Sequence, residues 1–520
     1  MDTIDQARRE VQTAFAKALA TADTAEPQAL AVVETSLWTQ VLALGAALIT
    51  LYLVRQASRP RPARYEHDGK DYELDGTASR KVGTRFGKVV FQTPVGRRVG
   101  WPLLVRDLPL NRELGLCSGF SLVVVLTLAK LCAQMAFGAA RRTFKDVFEW
   151  SPSQRATLRM VDGVGAQARP FLEQAAPPDD DGEVMMILAD GKGAPTISSR
   201  EYRRRAQPHQ HPKSGTARKQ RRARRREEPR PRRTTGKKSK NAKMAAVGAI
   251  YTLKRVGDEL EGPVNKRLYA TFESYRALFE WLLREAKKRG YGTAKIVKVL
   301  FIADGAETLW DLQAEYFPDA DMCVDWYHVV EKLWTAGKTL HRKNRKALET
   351  WVAKQKKRLR SGHLKAILAE LRTILDATPR TGPGNKYRRS VLEKTLNHFT
   401  KNAARMQYRR LRSEGMDIGS GVIEGAVRHL VGVRLDGPGM RWSRDRAEAV
   451  LHLRCILING QWDDFARHLT AVPRVVLPAQ PVPTRTHDAK VKKAANDVRP
   501  KKVASNANVR KAAADFRKAA

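Results

Sequence analysis

Three acidic residues stand where a side chain can be presented to a substrate. Asp190 closes the apolar run "EVMMILAD", Asp304 closes "AKIVKVLFIAD", and Glu424 lies in the opening turns of the helix expected after "GSG". If the two runs are neighbouring strands of one sheet, both aspartates emerge at one edge, where a helix bearing Glu424 completes a triad. Phosphodiester cleavage and strand transfer need two divalent ions roughly 3.5–4 Å apart, one activating the attacking oxygen and one stabilising the leaving oxygen. Mg2+ takes hard oxygen ligands, keeps several waters and accepts only one or two carboxylates per ion. Three acids from three elements meet that need, with Mn2+ as the expected substitute. Asp190, Asp304 and Glu424 are thus the candidate catalytic and metal-binding residues.

Each acid also has a structural reading. Asp190-Gly191 is a common turn dipeptide. Asp304-Gly-Ala-Glu307 has the spacing of a helix N-cap with its capping-box glutamate. Glu424 suits an early helix position and can pair with Arg428 one turn on. What favours a site is their joint placement.

The elements that must hold these acids are legible in outline. After "EVMMILAD" come the strand-like runs "MAAVGAIYTLKRV" and "RLYATF", an amphipathic helix "SYRALFEWLLREAKKRG", and then the strand ending at Asp304. The order strand, strand, strand, helix, strand predicts an antiparallel meander joined to a parallel strand in a mixed α/β sheet. Residues 329–415 read as basic helix. Upstream, 2–57 read as two helices split by "DTAEPQ", and 79–100 as a β-hairpin with one wet face. "FGAARRTFKDVF", the break "EWSP" and the helix after it have the outline of a helix-turn-helix, with Ser151 as the expected N-cap. "EQAAPPDDDG" (173–182) reads as a linker.

The formal net charge of +42, from 96 Lys+Arg against 54 Asp+Glu, calls for a polyanionic partner, nucleic acid before acidic lipid or protein. The charge is concentrated at 200–243, where 19 Lys or Arg face three acids with almost no apolar side chain. Such a segment cannot pack a core and is expected to be a mobile arm that grips DNA phosphates. Its candidate contacts are Arg203, Arg204, Arg205, Arg221, Arg222, Arg224, Arg225, Arg226, Lys237 and Lys238. The four cysteines form no CxxC pair, which disfavours a zinc ribbon or disulfide framework and fits a reducing cytoplasm. The apolar stretch 41–54 is 14 residues, shorter than the ~20 of a spanning helix, and residues 1–20 lack the apolar core of a signal peptide. No membrane association is expected.

The stretch "IADGAETLWDLQAEYFPDADMCVDWYHVVEKLW" closely resembles the central block of bacterial insertion-sequence transposases with a DDE triad, relatives of the Mutator-like group, with the Kra-type insertion sequences nearest. "GSGVIEGAVRHLVGVRLDGPGMRW" is similar to that group's block around the catalytic glutamate. "PLNRELGL" and "RKVGTRFGKVVFQ" resemble its amino-terminal region. The resemblance spans roughly 80–465. It implies an RNase H-like fold with a helical insertion before the glutamate-bearing helix, and it carries the catalytic roles onto Asp190, Asp304 and Glu424. Asp325 and His328 match an Asp-x-x-His pair that supports the site, and an N-cap with a satisfied histidine is the alternative. Trp442 is either a base-stacking residue near the cleavage site or a core tryptophan. The "QTPVGRRVGWP" stretch lacks the cysteine pairs such proteins often carry there, so no zinc is expected.

The expected organisation is a helical region at 1–60 with a possible part in oligomerisation, a hairpin and helix-turn-helix-like DNA-binding region at 61–172, and an RNase H-like core at 183–328 interrupted by the basic arm. A helical insertion at 329–415, core completion at 416–472 and a disordered basic tail at 473–520 follow. The fold class is thus α/β (α+β): an RNase H-like mixed sheet with a helical insertion, behind a mainly helical N-terminal DNA-binding region. The expected activity is Mg2+-dependent DNA cleavage and strand transfer on double-stranded DNA, both element ends and target. A homodimer or larger assembly on DNA is expected, in the bacterial cytoplasm beside the nucleoid. A repurposed, inactive DNA-binding protein and an RNase H-like nuclease without strand transfer are the alternatives.

Overall fold

The computed structural model describes residues 4–100, 106–117, 119–198, 242–342, 344–437 and 440–471. The amino-terminal unit opens with α1 (Ile4–Ala22) packed against α2 (Leu30–Ala57). The apolar run 41–54 is only the middle of α2. At 28 residues the helix is long and apolar enough, by length and composition, to cross a membrane, so the argument from a 14-residue stretch does not hold. The reason is that "LAVVETSLWTQ" contains no breaker and continues the helix upstream. One side of α2 packs on α1 and on the strand β3 (Gly87–Arg98), whereas Leu48 and Tyr52 are about half exposed.

The hairpin expected at 79–100 belongs to a larger antiparallel sheet, β1 (Arg64–His67), β2 (Lys70–Thr84), β3 and β4 (Arg106–Asp107) in that order. A small core of Leu53, Val54, Val82, Val89, Phe91 and Leu110 holds it against α2. Next come α3 (Pro109–Glu113), α4 (Leu122–Gln134), α5 (Phe137–Phe148) and α6 (Gln154–Gln174). The N-cap of α6 is Ser153, not Ser151: its hydroxyl lies 3.2 Å from the Ala156 N–H, three residues on, where a capping oxygen must be. The apolar stripe of α6, including Met160, Val161, Val164 and Ala168, enters the main core, so only the opposite face is left for a partner.

The main sheet is built on β5 (Val184–Ile197), whose residues Val184 to Ala189 are all buried, as expected of a central strand covered on both faces. β6 (Ala242–Val256) and β7 (Glu259–Thr271) continue from it as an antiparallel meander, and β8 (Lys298–Ala303) and β9 (Asp321–Val324) pair parallel on its other side. The spatial order β7-β6-β5-β8-β9 is that of the RNase H-like fold. Helix α7 (Tyr275–Lys288) links β7 to β8 and packs Leu278 and Leu282 over Gly248 of β6, where a Cβ would clash. Helix α8 (Glu307–Tyr316) links β8 to β9. The stretch read as a linker is pinned at its end: Asp181 sits in a buried cluster with Arg289 and Glu285 and accepts from Thr252 at 3.0 Å.

After β9 the chain is helical, as expected: α9 (Trp326–Leu340), α10 (Arg345–Arg360), α11 (Leu364–Asp376), α12 (Asn385–Lys401), a 3₁₀ turn (Ala403–Arg405) and α13 (Tyr408–Ser413). The Tyr408 hydroxyl ties this insertion to the sheet by donating to the Val324 carbonyl at 2.9 Å. Helix α14 (Gly421–Val427) runs through a π-helical turn (Arg428–Gly432) into α15 (Val433–Leu435). The last described elements are β10 (Trp442–Ser443), α16 (Arg444–Ile458) and α17 (Trp462–Ala471). Helix α16 lies along the edge strand β7 and satisfies its open backbone groups: Asn459 bonds both the N–H and C=O of Leu268, and Glu448 accepts from Phe272 N–H.

Candidate metal-binding acidic site

Three neighbouring parallel strands bring three aspartates to one level. Ala189 pairs with Ala303, and Ala303 pairs with Val324; the next residue on each strand is Asp190, Asp304 or Asp325. Adjacent strands lie ~4.8 Å apart, so the three side chains form a row along the sheet edge. The expected triad needs one correction. Asp190 does not close its strand, because β5 runs on through Gly191 to Ile197, paired with β6 as far as Pro195. What ends at Ala189 is the pairing with β8. Farther along, β5 receives β10, Trp442 facing Thr196.

Asp304 does end β8, but it is not the N-cap of α8. That position is Ala306, and the Asp304 carboxylate instead accepts from Ala306 N–H at 3.0 Å, which fixes the strand-to-helix corner. Asp190 likewise accepts from its own Gly191 N–H at 2.6 Å. Each carboxylate so uses Oδ1 locally, and among the described residues Oδ2 has no hydrogen-bond partner. Burial, then the neighbouring Asp304, pushes the Asp190 carboxyl above its ordinary range against the pull of the Gly191 N–H. Two hard oxygens on adjacent strands are suited to a divalent cation.

Asp325 has a different role. It is fully buried and N-caps α9, accepting from Tyr327 N–H (3.2 Å), His328 N–H (2.9 Å), the His328 ring Nδ1 (2.6 Å) and Ser420 N–H (2.7 Å). Burial alone would raise this carboxyl; the hydrogen bonds from His328 and Ser420 overcome it and hold it low. In return, the Asp325 bond raises His328 to about 9, so the imidazole is charged at neutral pH. The capped, satisfied arrangement is therefore present, and it also builds the site, since the Ser420 bond anchors the loop from which α14 starts.

Glu424 emerges from that helix. Its carboxylate accepts from the Ser420 hydroxyl at 3.2 Å and forms no ion pair with Arg428 among the described residues. Ligand atoms of Asp325, His328 and Glu424 lie within 4.8 Å of one another. His328 is the link to the aspartate pair, since Asp190 and Asp304 both act on its charge. The structure thus gathers all five expected residues, Asp190, Asp304, Asp325, His328 and Glu424, at one end of the sheet.

Trp442 is not a free stacking platform. It is 4% exposed, donates to the Leu435 carbonyl at 3.0 Å, meets Phe137 edge-on and is covered by the Arg434 guanidinium at 4.7 Å. Its β10 pairing with β5 draws it into the core. The ten candidate arm residues, Arg203 to Arg205, Arg221, Arg222, Arg224 to Arg226, Lys237 and Lys238, lie outside the described residues.

Reading the sequence alone missed two buried arginines that fix the Glu424 helix. A π-helical turn leaves carbonyls without their usual partners. Arg454 donates to the carbonyls of His429 and Leu430 within that turn and to Ala133 at the end of α4, while Arg434 donates to Cys132. Guanidinium groups at the carbonyl end of α4 also meet its dipole favourably.

Fold and site together define an RNase H-like α/β chain with an acidic strand-end site. No family model and no curated protein matches the sequence. Among solved structures, a similar one is the Drosophila P element transposase strand transfer complex, at 9% identity, covering 72% of this chain and 86% of that chain with a TM-score of 0.22. The strand order β7-β6-β5-β8-β9 carries the fold by itself.

Proposed function

We propose that the chain is a DDE-type DNA transposase of a bacterial insertion sequence, of the Kra-type group related to Mutator-like transposases. The observation that carries this reading is the rung Ala189–Ala303, which sets Asp190 and Asp304 side by side while the Asp325-anchored loop delivers Glu424 to the same end of the sheet. Asp190 and Asp304 would hold Mg2+ between them and Glu424 would complete a second ion; Mn2+ substitutes. The donor set fits, being carboxylate oxygens on two adjacent strands whose Oδ2 atoms have no hydrogen-bond partner among the described residues. Bound ions of this kind activate an attacking oxygen and stabilise a leaving one.

The chain's own residues supply the rest. Asp325 holds His328 in a fixed, charged orientation and seats the Glu424 loop. The +42 charge supports double-stranded DNA as substrate, both element ends and target, on the nucleoid in the cytoplasm. The exposed apolar side chains of α2 support assembly as a dimer or larger unit on DNA.

The test is a cleavage and strand-transfer assay with candidate element ends and Mg2+. Products longer than the input strand support the reading. Shortened DNA alone points to a nuclease without strand transfer, and binding without cleavage to a repurposed DNA-binding protein.

A further inference from the structure

The two catalytic candidates share the dipeptide Asp-Gly, and turn chemistry does not explain either glycine. Neither Gly191 nor Gly305 has a φ in the left-handed region. What each provides is room. A Cβ on Gly191 would fall closer than 3.0 Å to the Tyr275 hydroxyl oxygen, and a Cβ on Gly305 would fall equally close to the His398 ring. The rings come from different elements, Tyr275 from the first turn of α7 and His398 from α12 of the insertion.

We infer that Tyr275 and His398 are positioning residues for the metal-binding aspartates, the Tyr275 hydroxyl and the His398 ring each filling the space that a glycine leaves next to one of them. Beside Asp190, Tyr275 presses on the backbone from which that carboxylate springs. The phenol also lies in the field of both aspartates; burial first, then Asp190 and Asp304, push it up to about 12, so it stays a neutral donor. Behind Asp304, His398 is one of three contacts that seat the end of α12 and the 3₁₀ turn after it on the strand-to-helix corner. The others are Lys401 with Glu307 at 2.8 Å and Arg405 stacked over Trp310 at 4.5 Å. His398 Nε2 is buried without a hydrogen-bond partner among the described residues, an arrangement that packing alone would not favour. The insertion is therefore wedged against the site rather than merely appended to the sheet.

This inference rests on the metal-binding reading of the preceding section, and the experiment separates the two. Purified full-length chain, free of DNA, is titrated with Mn2+ by calorimetry, and its melting is followed in EDTA. Tyr275→Ala and His398→Ala are expected to weaken Mn2+ binding about tenfold, the lower end of what lost supporting partners cost a metal site. His398→Gln, which refills its socket, is expected to restore affinity to within about twofold. Tyr275→Phe, which keeps the ring but removes the hydroxyl that fills the Gly191 socket, is expected to lose affinity as Tyr275→Ala does, both with metal-free melting near wild type. If His398→Ala does not fold, Gly305→Ala, which displaces the ring without removing it, takes its place with the same expected loss. Folded alanine variants that bind Mn2+ like the wild type overturn the inference. A wild-type chain that binds no Mn2+ overturns the metal-binding reading instead.

Discussion

Asp190 and Asp304 follow the paired residues Ala189 and Ala303 of two parallel strands, so their carboxylates stand side by side with one rung of the ladder beneath them. Two like charges at that spacing, one of them largely withdrawn from water, are tolerable only with a proton or a cation between them.

Asp304→Asn and Asp190→Asn are each expected to abolish Mg2+-dependent cleavage with DNA binding retained, as read by a gel assay beside a binding isotherm. Intact cleavage in Asp304→Asn would leave Asp304 as the corner that holds Ala306 and nothing more.

The same pair predicts a stability signature. The folded-state pKa of Asp190 is raised, so the native chain holds this proton more firmly than the unfolded one, and stability falls as pH rises through the folded value. At neutral pH in EDTA, Asp190→Asn is therefore expected to melt higher than wild type, by roughly 1–3 °C. Mg2+ should then stabilise the wild type more than the variant. A variant that melts lower in EDTA would contradict the strain.

His328 gives a pH dependence of the same sign in a higher window. Its folded value is raised to about 9, so the stability it contributes is complete below its unfolded value of 6.5 and is lost as pH rises through about 9. With a third of the side chain exposed, the effect is discounted to about 1–2 kcal/mol. His328→Gln should flatten the melting profile between those limits. An unchanged slope would mean that the Asp325 bond carries no net charge stabilisation.

Trp442→Ala is expected to cost about 3–5 kcal/mol in chemical denaturation, because it empties a core position against Phe137 and Arg434. Trp442→Phe should keep the position of the cleavage sites on DNA. Cleavage sites displaced in a stably folded Trp442→Phe chain would revive a base-stacking role.

Arg454→Leu removes the donor that serves the π turn and the end of α4 together. The carbonyls of His429, Leu430 and Ala133 would be left buried, at an expected cost of about 2–5 kcal/mol. Denaturant midpoints measure it, and a loss below about 1 kcal/mol would show that water replaces the guanidinium.

Much of the scaffold could be read from local pattern. The apolar runs before Asp190 and Asp304, the helices at 137–148, and the helix opening behind "GSG" all stand where the residues place them. Relations between distant segments were not visible. Gly191 looks like a turn because its neighbours in sequence say so, yet β5 continues through it, and its purpose is set by Tyr275, a residue on another helix. Asp304 and Glu307 have capping-box spacing, but the corner closes two residues later than that motif requires. Ser153 outcompetes Ser151 because only it reaches Ala156. Nor could the length of α2 be judged from its most apolar part. The π turn after Glu424 leaves no mark in composition, and its partner Arg454 is some 25 residues away.

The final rung between β5 and β6 joins Pro195 to Ala242, so the chain leaves and re-enters the sheet at neighbouring points. The cost of closing a segment between fixed neighbours grows only logarithmically with its length, about 0.6 kcal/mol per doubling. Between those two residues, evolution can lengthen, shorten or recharge the intervening stretch almost freely, without disturbing the spacing of the acids a few rungs below. A change of length between Pro195 and Ala242 leaves intact the ladder of β5 and β6 that spaces the acids.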